Sequence, residues 1–519
     1  MAFVVTSQAA VPSGVQLHAT QTFVRSNGSE PESMDPAVAE TVPANQILRD
    51  LFEGLTATDT SGKTVPGVAL SWKQTNPTTW VFKLRANAKF SNGEPVTAED
   101  FVYGIRRFVD PKTASPYATT FGVFLLNGLE VAQGKKPTSE IGVKALDKLT
   151  LEIKTQDPVA FMPELVSNTQ LGPVLKATVE KWGKDWVKPG NMVGNGAFVL
   201  KDWQVNNRIV VEKNPQYWDA TNVHLTRVTY LPIEDQSADV KLWESGETDY
   251  VYQLPPGVFD KYKAQYPKEL RNQAIIGLRY YDYQTKDPVF KDVRVRKALN
   301  LAVDRETIKR VTMRGLSIPA AIIVAPGVHG YTKELDKVAP ADVDGAKKLL
   351  AEAGYPNGFE FGLDCPNNRY VNDEGICQAL VGMWARAGLK VKLNAQPMAS
   401  FIAKVENFDH SAYMLGWGVS TFDALFSLQS LVHTKGGVDG SFNLGRVSDP
   451  KLDALIDAAK TEMDPKKRDV LLHDALVLTR DNYYYVPLHH QIRPWAMKKN
   501  VTIVYKPDDR PEARYARVE

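Results

Sequence analysis

An α/β architecture in two lobes is what the sequence predicts, and three features predict it. Strand-like and helix-like segments alternate from about residue 278 to 488, a pattern that implies βαβ units and a largely parallel sheet. The first 280 residues are richer in strand-like pieces, with helices interrupting them. No internal repeat, low-complexity tract or long Pro/Gly linker separates the two regions. Lobes joined by short crossovers suit hinge closure around a ligand.

The elements follow in chain order. Residues 1–10, MAFVVTSQAA, hold no Lys or Arg and only a short apolar run, so they do not make a secretory signal. Ser7-Gln8-Ala9 reads as the remnant of a cleavage site, and the chain as a mature exported protein with an added Met. No cysteine near the start supports a lipid anchor. Asn45 to Gly54 is apolar at Ile47, Leu48, Leu51 and Phe52, which predicts a helix stopped by the glycine. Thr79 to Arg85 alternates as a half-buried strand does, and Gly196–Leu200, Arg208–Lys213 and Arg227–Pro232 read likewise. Thr97 caps a helix to about Phe108, with Glu99 and Asp100 at its positive end. Beyond 278 the predicted helices are Asp292–Val303, Val343–Ala353, Glu374–Ala387 and Asp449–Thr461. The predicted strands there are Phe359–Leu363, Lys390–Leu393 and Ser411–Leu415. The expected division is lobe one over 1–277, with 488–519 returning to it, and lobe two over 278–487.

Composition excludes several function classes. The chain has 519 residues, 43% hydrophobic and 24% charged, ordinary values for a globular protein. Lys+Arg is 62 against Asp+Glu 60, which argues against nucleic acid as a partner. No stretch approaches the roughly 20 apolar residues of a membrane helix. The eight histidines show no metal-ligand spacing, and no GxSxG, Walker or Rossmann glycine pattern occurs, so neither metal, cofactor nor catalytic residue is expected. The two cysteines, Cys365 and Cys377, are not CxxC; they read as a structural disulfide between a strand end and the following helix.

Several blocks together resemble the large peptide-class solute-binding proteins of bacterial ABC importers, with features of the oligopeptide, dipeptide and opine branches. Asn27-Gly28-Ser29-Glu30 to Met34-Asp35-Pro36 is similar to the family's opening strand, and Leu51-Phe52-Glu53-Gly54-Leu55 follows it. Trp80 to Asp100, Val193 to Trp218 and Phe290 to Arg305 (FKDVRVRKALNLAVDR) match further blocks. The resemblance implies a two-lobed periplasmic-binding-protein fold with an extra subdomain in lobe one and the ligand in the interlobe cleft. It also implies a periplasmic, non-enzymatic and monomeric receptor that hands a small molecule to an inner-membrane ABC permease.

Ligands of open α/β sheets bind at the C-terminal ends of strands. Two loops of lobe two therefore qualify. One carries Asn367, Asn368, Arg369 and Tyr370; the other carries Gly416, Trp417, Gly418, Val419, Ser420 and Thr421. Glycines 416 and 418 allow close backbone approach, and Trp417 offers a flat apolar wall. By resemblance, a peptide would extend a backbone ladder along Gly416–Gly418 and along Glu40, Thr41 and Val42. The family's ammonium-binding Asp, three residues after the Trp, is here Ser420; its Arg, three residues before, is Met414. Asp423 is a candidate substitute for the missing carboxylate. Ser420, Thr421 and the N–H groups of Gly418 and Val419 are donors, and Arg369 adds a fork for an anion. The expected ligand is therefore a non-peptide opine or sugar-phosphodiester, agrocinopine-like; the alternative is an oligopeptide.

Overall fold

The computed structural model describes residues 11–367, 369–418, 421–434 and 439–519. Val419 and Ser420 of the expected site, and Asn368, lie outside the described residues. The chain divides into two compact units. Unit 1 comprises residues up to 254 with 262–271 and 495–519; unit 2 comprises 255–261 and 272–494.

In unit 1 strand β1 (Thr22–Ser26) is followed by helix α1 (Val42–Leu51). This helix starts three residues earlier than Asn45. Thr41 caps it, its hydroxyl accepting from the Ala44 N–H, and Pro43 sits in the first turn where no N–H is needed. Strands β2 (Phe198–Gln204), β3 (Arg208–Lys213), β4 (Arg227–Leu231) and β5 (Tyr250–Val251) complete the main sheet of the unit. Its order is β5-β1-β4-β3-β2; β1 runs parallel to both neighbours, and β4-β3 and β3-β2 are antiparallel. A separate antiparallel sheet joins Ala69–Asn76, Thr79–Leu84, Thr150–Lys154 and Val143–Asp147. The helix Ala98–Val109 packs in the same region, and the Asp100 carboxylate accepts from both the N–H and the hydroxyl of Thr97.

Unit 2 is organised by strands β6 (Leu270–Tyr283), β7 (Glu360–Pro366), β8 (Lys390–Gln396), β9 (Ala412–Gly418) and β10 (Val486–Met497), in the order β8-β7-β9-β6-β10. Helix α2 (Asp373–Arg386) connects β7 to β8, and these strands are parallel, as are β7 and β9. The expectation of a largely parallel sheet fails at β6, which pairs antiparallel with β9. The reason is topological. Helical crossovers enforce parallel pairing, but β6 brings the chain in from unit 1 and is not reached through a crossover.

One core of unit 2 is built on Tyr281, Tyr283, Phe361, Leu363 and Met414 from the strands and Ile376, Leu380 and Trp384 from α2. Trp384 is fully buried and its indole donates to the Leu299 carbonyl at 3.0 Å, so the large ring is placed without an orphaned donor. Three further helices close the unit: α3 (Ala424–Leu431), α4 (Pro450–Thr461) and α5 (Pro465–Asp481). The expected lobe boundaries, 277/278 and 487/488, fall inside β6 and β10, which run on as continuous strands through Gly277 and Pro487.

Candidate functional site

The register of β6 against β9 sets the centre of the site. Leu278 faces Trp417 and Arg279 faces Gly416 across the ladder. Arg279 and Tyr281 share a face, as do Gly416 and Met414, because side chains alternate along a strand. Toward the end of β9 the apolar core therefore gives way to a guanidinium. Arg279 is only 6% exposed. Its guanidinium lies over the ring of Tyr370, 3.6 Å from the centroid, and donates to the Leu278 carbonyl at 3.3 Å.

Gly416 is what makes room. A Cβ at this position would lie 2.1 Å from Nη1 of Arg279, 2.9 Å from its Cζ and 3.0 Å from Cε1 of Tyr370. The glycine was expected to admit a ligand backbone, but it is the side chain of Arg279 that fills that space. At Gly418 no heavy atom of the described residues lies within 4 Å of an added Cβ, and the residue is exposed.

The loop after β7 presents Tyr370. Cys365 at the end of β7 and Cys377 in α2 form a disulfide over a sequence separation of 12, closing the loop that carries Arg369 and Tyr370. Asp373 shapes that loop from inside. Its carboxylate accepts from the N–H groups of Arg369 and Tyr370 at 3.0 Å each and of Glu374 at 2.9 Å. Arg369 is exposed and lies on the same tyrosine, 5.2 Å from the centroid. Tyr370 thus meets two guanidinium groups, both of which favour the electron-rich ring face.

The electrostatics follow. Burial, opposed by the Tyr370 phenol and helped by Arg369 and Arg493, holds Arg279 down to about 10. It still carries its charge at neutral pH. His489 on β10 is buried, and that burial, with the charge of Arg279, keeps it neutral well below the usual histidine range.

The opposite face of β9 is apolar. Trp417 stacks on Phe426 of α3 with centroids 5.8 Å apart, meets Phe442 edge-on at 5.3 Å, and donates its indole N–H to Ser427 at 3.0 Å. It remains half-buried, leaving part of its surface uncovered. Thr421 is 2% exposed, and among the described residues its hydroxyl has no hydrogen-bond partner.

Two expectations are corrected by these contacts. Asp423 is not a spare carboxylate: it is 4% exposed, takes a two-pronged contact from Arg468 at 2.7 and 2.9 Å, and caps α3 through the Leu425 N–H at 2.9 Å. Met414, which stands where the family has its Arg, is buried in the core beside Tyr281. The N–H groups of Glu40 and Thr41 are not free for a ladder, since the Glu32 carboxylate accepts from both, and Val42 opens α1. Glu40, Thr41 and Val42 belong to unit 1. Arg369, Tyr370, Gly416, Trp417, Gly418 and Thr421 belong to unit 2, where the loop after β7 and the end of β9 meet.

Arg279 was missed by sequence reasoning. The signal was present as a basic residue in the otherwise apolar and aromatic run Ile275–Tyr281, but its partner glycine is 137 positions away and only the register reveals it. One further polar group, His433, Asp439 and Asp457, gathers ligand atoms within 4.8 Å of one another. The Lys460 ammonium already sits 3.2 Å from Asp439 and 3.6 Å from Asp457, so a cation is supplied by the chain itself.

Comparison with known proteins fits this architecture. The family described as "Bacterial extracellular solute-binding proteins, family 5 Middle" matches residues 63–439. The periplasmic oligopeptide-binding protein OppA of Salmonella typhimurium is 37% identical over 503 residues, 93% of this chain and 91% of the relative. The periplasmic murein peptide-binding protein MppA of Escherichia coli is 34% identical over 498 residues, 94% and 92% of the two chains. The solved structure of an unliganded open form of MppA superposes with a TM-score of 0.84 at 32% identity, covering 98% of this chain and 99% of the other. No helix among the described residues is long and apolar enough to cross a membrane. The chain therefore belongs to the family 5 bacterial solute-binding proteins: it is a periplasmic receptor of two-lobed α/β fold that serves an ABC importer, and not an enzyme.

Proposed function

We propose that this receptor binds short peptides and delivers them to an inner-membrane ABC permease. The observation that carries the reading is the full-length likeness to receptors named for oligopeptides and murein peptides. The shape of β9 supports it. Among the described pairs, β7 meets β9 only at Leu363–Ala412 and Asp364–Tyr413, so the Leu415–Gly418 stretch is paired by β6 alone. A strand with one open edge accepts an extended peptide as an added strand, main chain to main chain. Gly418, with open space around it, is where such a backbone approaches without a side-chain clash. The half-exposed indole of Trp417 then offers an apolar wall for a peptide side chain.

A non-peptide opine or sugar-phosphodiester is the second reading. One observation favours it: the cationic character around Arg279 and Arg369, with Ser420 and Met414 at the family's Asp and Arg positions. Native mass spectrometry of ligand carried through purification, followed by calorimetry with tri- to pentapeptides and with a sugar phosphodiester, separates the two. Peptide binding with no response to the phosphodiester is the expected result. The reverse pattern would return the chain to the opine reading.

A further inference from the structure

We propose that Arg279 is a specificity-determining residue that takes a carboxylate of the bound peptide, so that the receptor selects peptides by an anionic group at the end of β9. The inference rests on the peptide reading above and adds the charge of the group recognised.

Four observations converge on this residue. The guanidinium is nearly enclosed, and among the described residues no carboxylate forms an ion pair with it; its one hydrogen bond is to its neighbour's carbonyl at 3.3 Å. A buried charge without a counter-ion is unfavourable and is retained where something else compensates it. Second, the surroundings add positive charge: Arg369 lies on the same tyrosine and Arg493 is close enough to be felt. Third, the acid whose charge reaches it, Asp373, is already engaged by three backbone N–H groups. Fourth, the position is built. Gly416 clears the space for the guanidinium, and Tyr370 holds its plane from a loop closed by a disulfide.

A planar guanidinium fixed by a ring on one face keeps its edge donors for a ligand, and a carboxylate matches that fork with two parallel N–H···O bonds. The location agrees as well. Arg279 lies opposite the C-terminal end of β9 and beside the loop leaving β7, the strand ends where such sheets bind ligands. Without a ligand the residue costs stability, the pattern expected of a group kept for binding.

The test uses the full chain as wild type, Arg279→Gln and Arg279→Lys, with calorimetry on four probes. These are Ala-Glu-Ala and Ala-Gln-Ala, each with a free and an amidated C-terminus. The wild type is expected to prefer a carboxylate-bearing peptide over the neutral Ala-Gln-Ala amide by about 10- to 100-fold, the range for a charge-assisted contact. Arg279→Gln should erase most of that ratio, and Arg279→Lys should keep only part of it because a point charge lacks the fork. Ligand-free Arg279→Gln should melt at or above the wild-type temperature. An unchanged ratio in Arg279→Gln overturns the proposal, and a large fall in its melting temperature with that unchanged ratio makes the arginine purely structural.

If none of the four peptides binds the wild type, the peptide reading has failed and the anion site is judged by itself, with succinate and inorganic phosphate in thermal-shift titrations. Stabilisation of the wild type that disappears in Arg279→Gln supports the site. Equal shifts in both proteins, or none in either, overturn it.

Discussion

Replacing Asp423 tests whether the carboxylate nearest the Gly-Trp-Gly strand end belongs to the ligand or to the fold. The structure commits it to the fold. Its two oxygens hold Arg468, which is itself buried, and the Leu425 N–H at the start of α3. His329 adds a contact at 3.3 Å. Burial pushes the carboxyl up, but the bonds from His329 and Arg468 outweigh it and hold Asp423 down to about 2. Set against an ordinary value of 3.8, that corresponds to on the order of 2–3 kcal/mol at roughly 1.4 kcal/mol for each tenfold. Removing one partner of a buried pair costs about 3–5 kcal/mol, since the other charge is left stranded. Asp423→Ala should therefore lower the melting temperature of the unit by roughly 6–20 °C, taking about 2–4 °C per kcal/mol for a body of 150–250 residues.

Calorimetric melting of Asp423→Ala, Arg468→Ala and the double variant is the assay. The double variant should lose clearly less than the sum of the singles, because each single strands a charge that the double removes. The sign with pH is fixed as well. A carboxyl whose folded value is depressed contributes fully above its unfolded value, and that contribution is lost as pH falls from about 4 toward 2. The wild type and Asp423→Ala should therefore converge in stability in strong acid. A variant with an unchanged melting temperature and abolished ligand binding would refute the structural role and restore Asp423 as a ligand contact.

Three other outcomes are expected. Gly416→Ala drives a methyl into Nη1 of Arg279, 2.1 Å from the new Cβ; overpacking should cost about 1–3 kcal/mol in urea denaturation and weaken ligand binding, whereas Gly418→Ala, with no atom in reach, should leave stability within roughly 0.5 kcal/mol. Reducing Cys365–Cys377 releases a loop of separation 12, worth about 3 kcal/mol in the chain-entropy picture, and should loosen Tyr370; denaturation with and without reductant reads the first effect, calorimetry the second, and two free thiols in the unfolded, unreduced protein would contradict the bond. Burial raises Asp282 to about 8, against the bonds from Tyr283 and Tyr413. Its contribution is thus full below about 4 and lost as pH rises toward 8, so Asp282→Asn should show a flatter decline in urea midpoint between pH 5 and 9 than the wild type.

Much of the local structure was written in the sequence. The strand Arg208–Lys213 is where its alternation places it, the helix after Thr97 begins at that cap, and the helices expected from Val343 and Asp449 start within a residue of those positions. These features are legible because they depend on neighbours a few residues apart: a period of two or 3.6, an oxygen at a helix start, a glycine past its end. The family was legible for the same reason, since its blocks are contiguous stretches such as FKDVRVRKALNLAVDR.

What the tertiary structure decided is which distant residues meet, and with what polarity. The antiparallel entry of β6 beside β9 has no local marker, and neither do lobe boundaries that lie within continuous strands. The same register decides the chemistry of the site. Sequence placed Gly416, Trp417, Arg369 and Tyr370 on two candidate loops. It had no means of showing that Arg279 fills the space over Gly416, or that Arg468 takes Asp423 away from any ligand. A charge's role depends on its counter-charge, and for both residues the answer lies in a part of the chain that only the fold brings near.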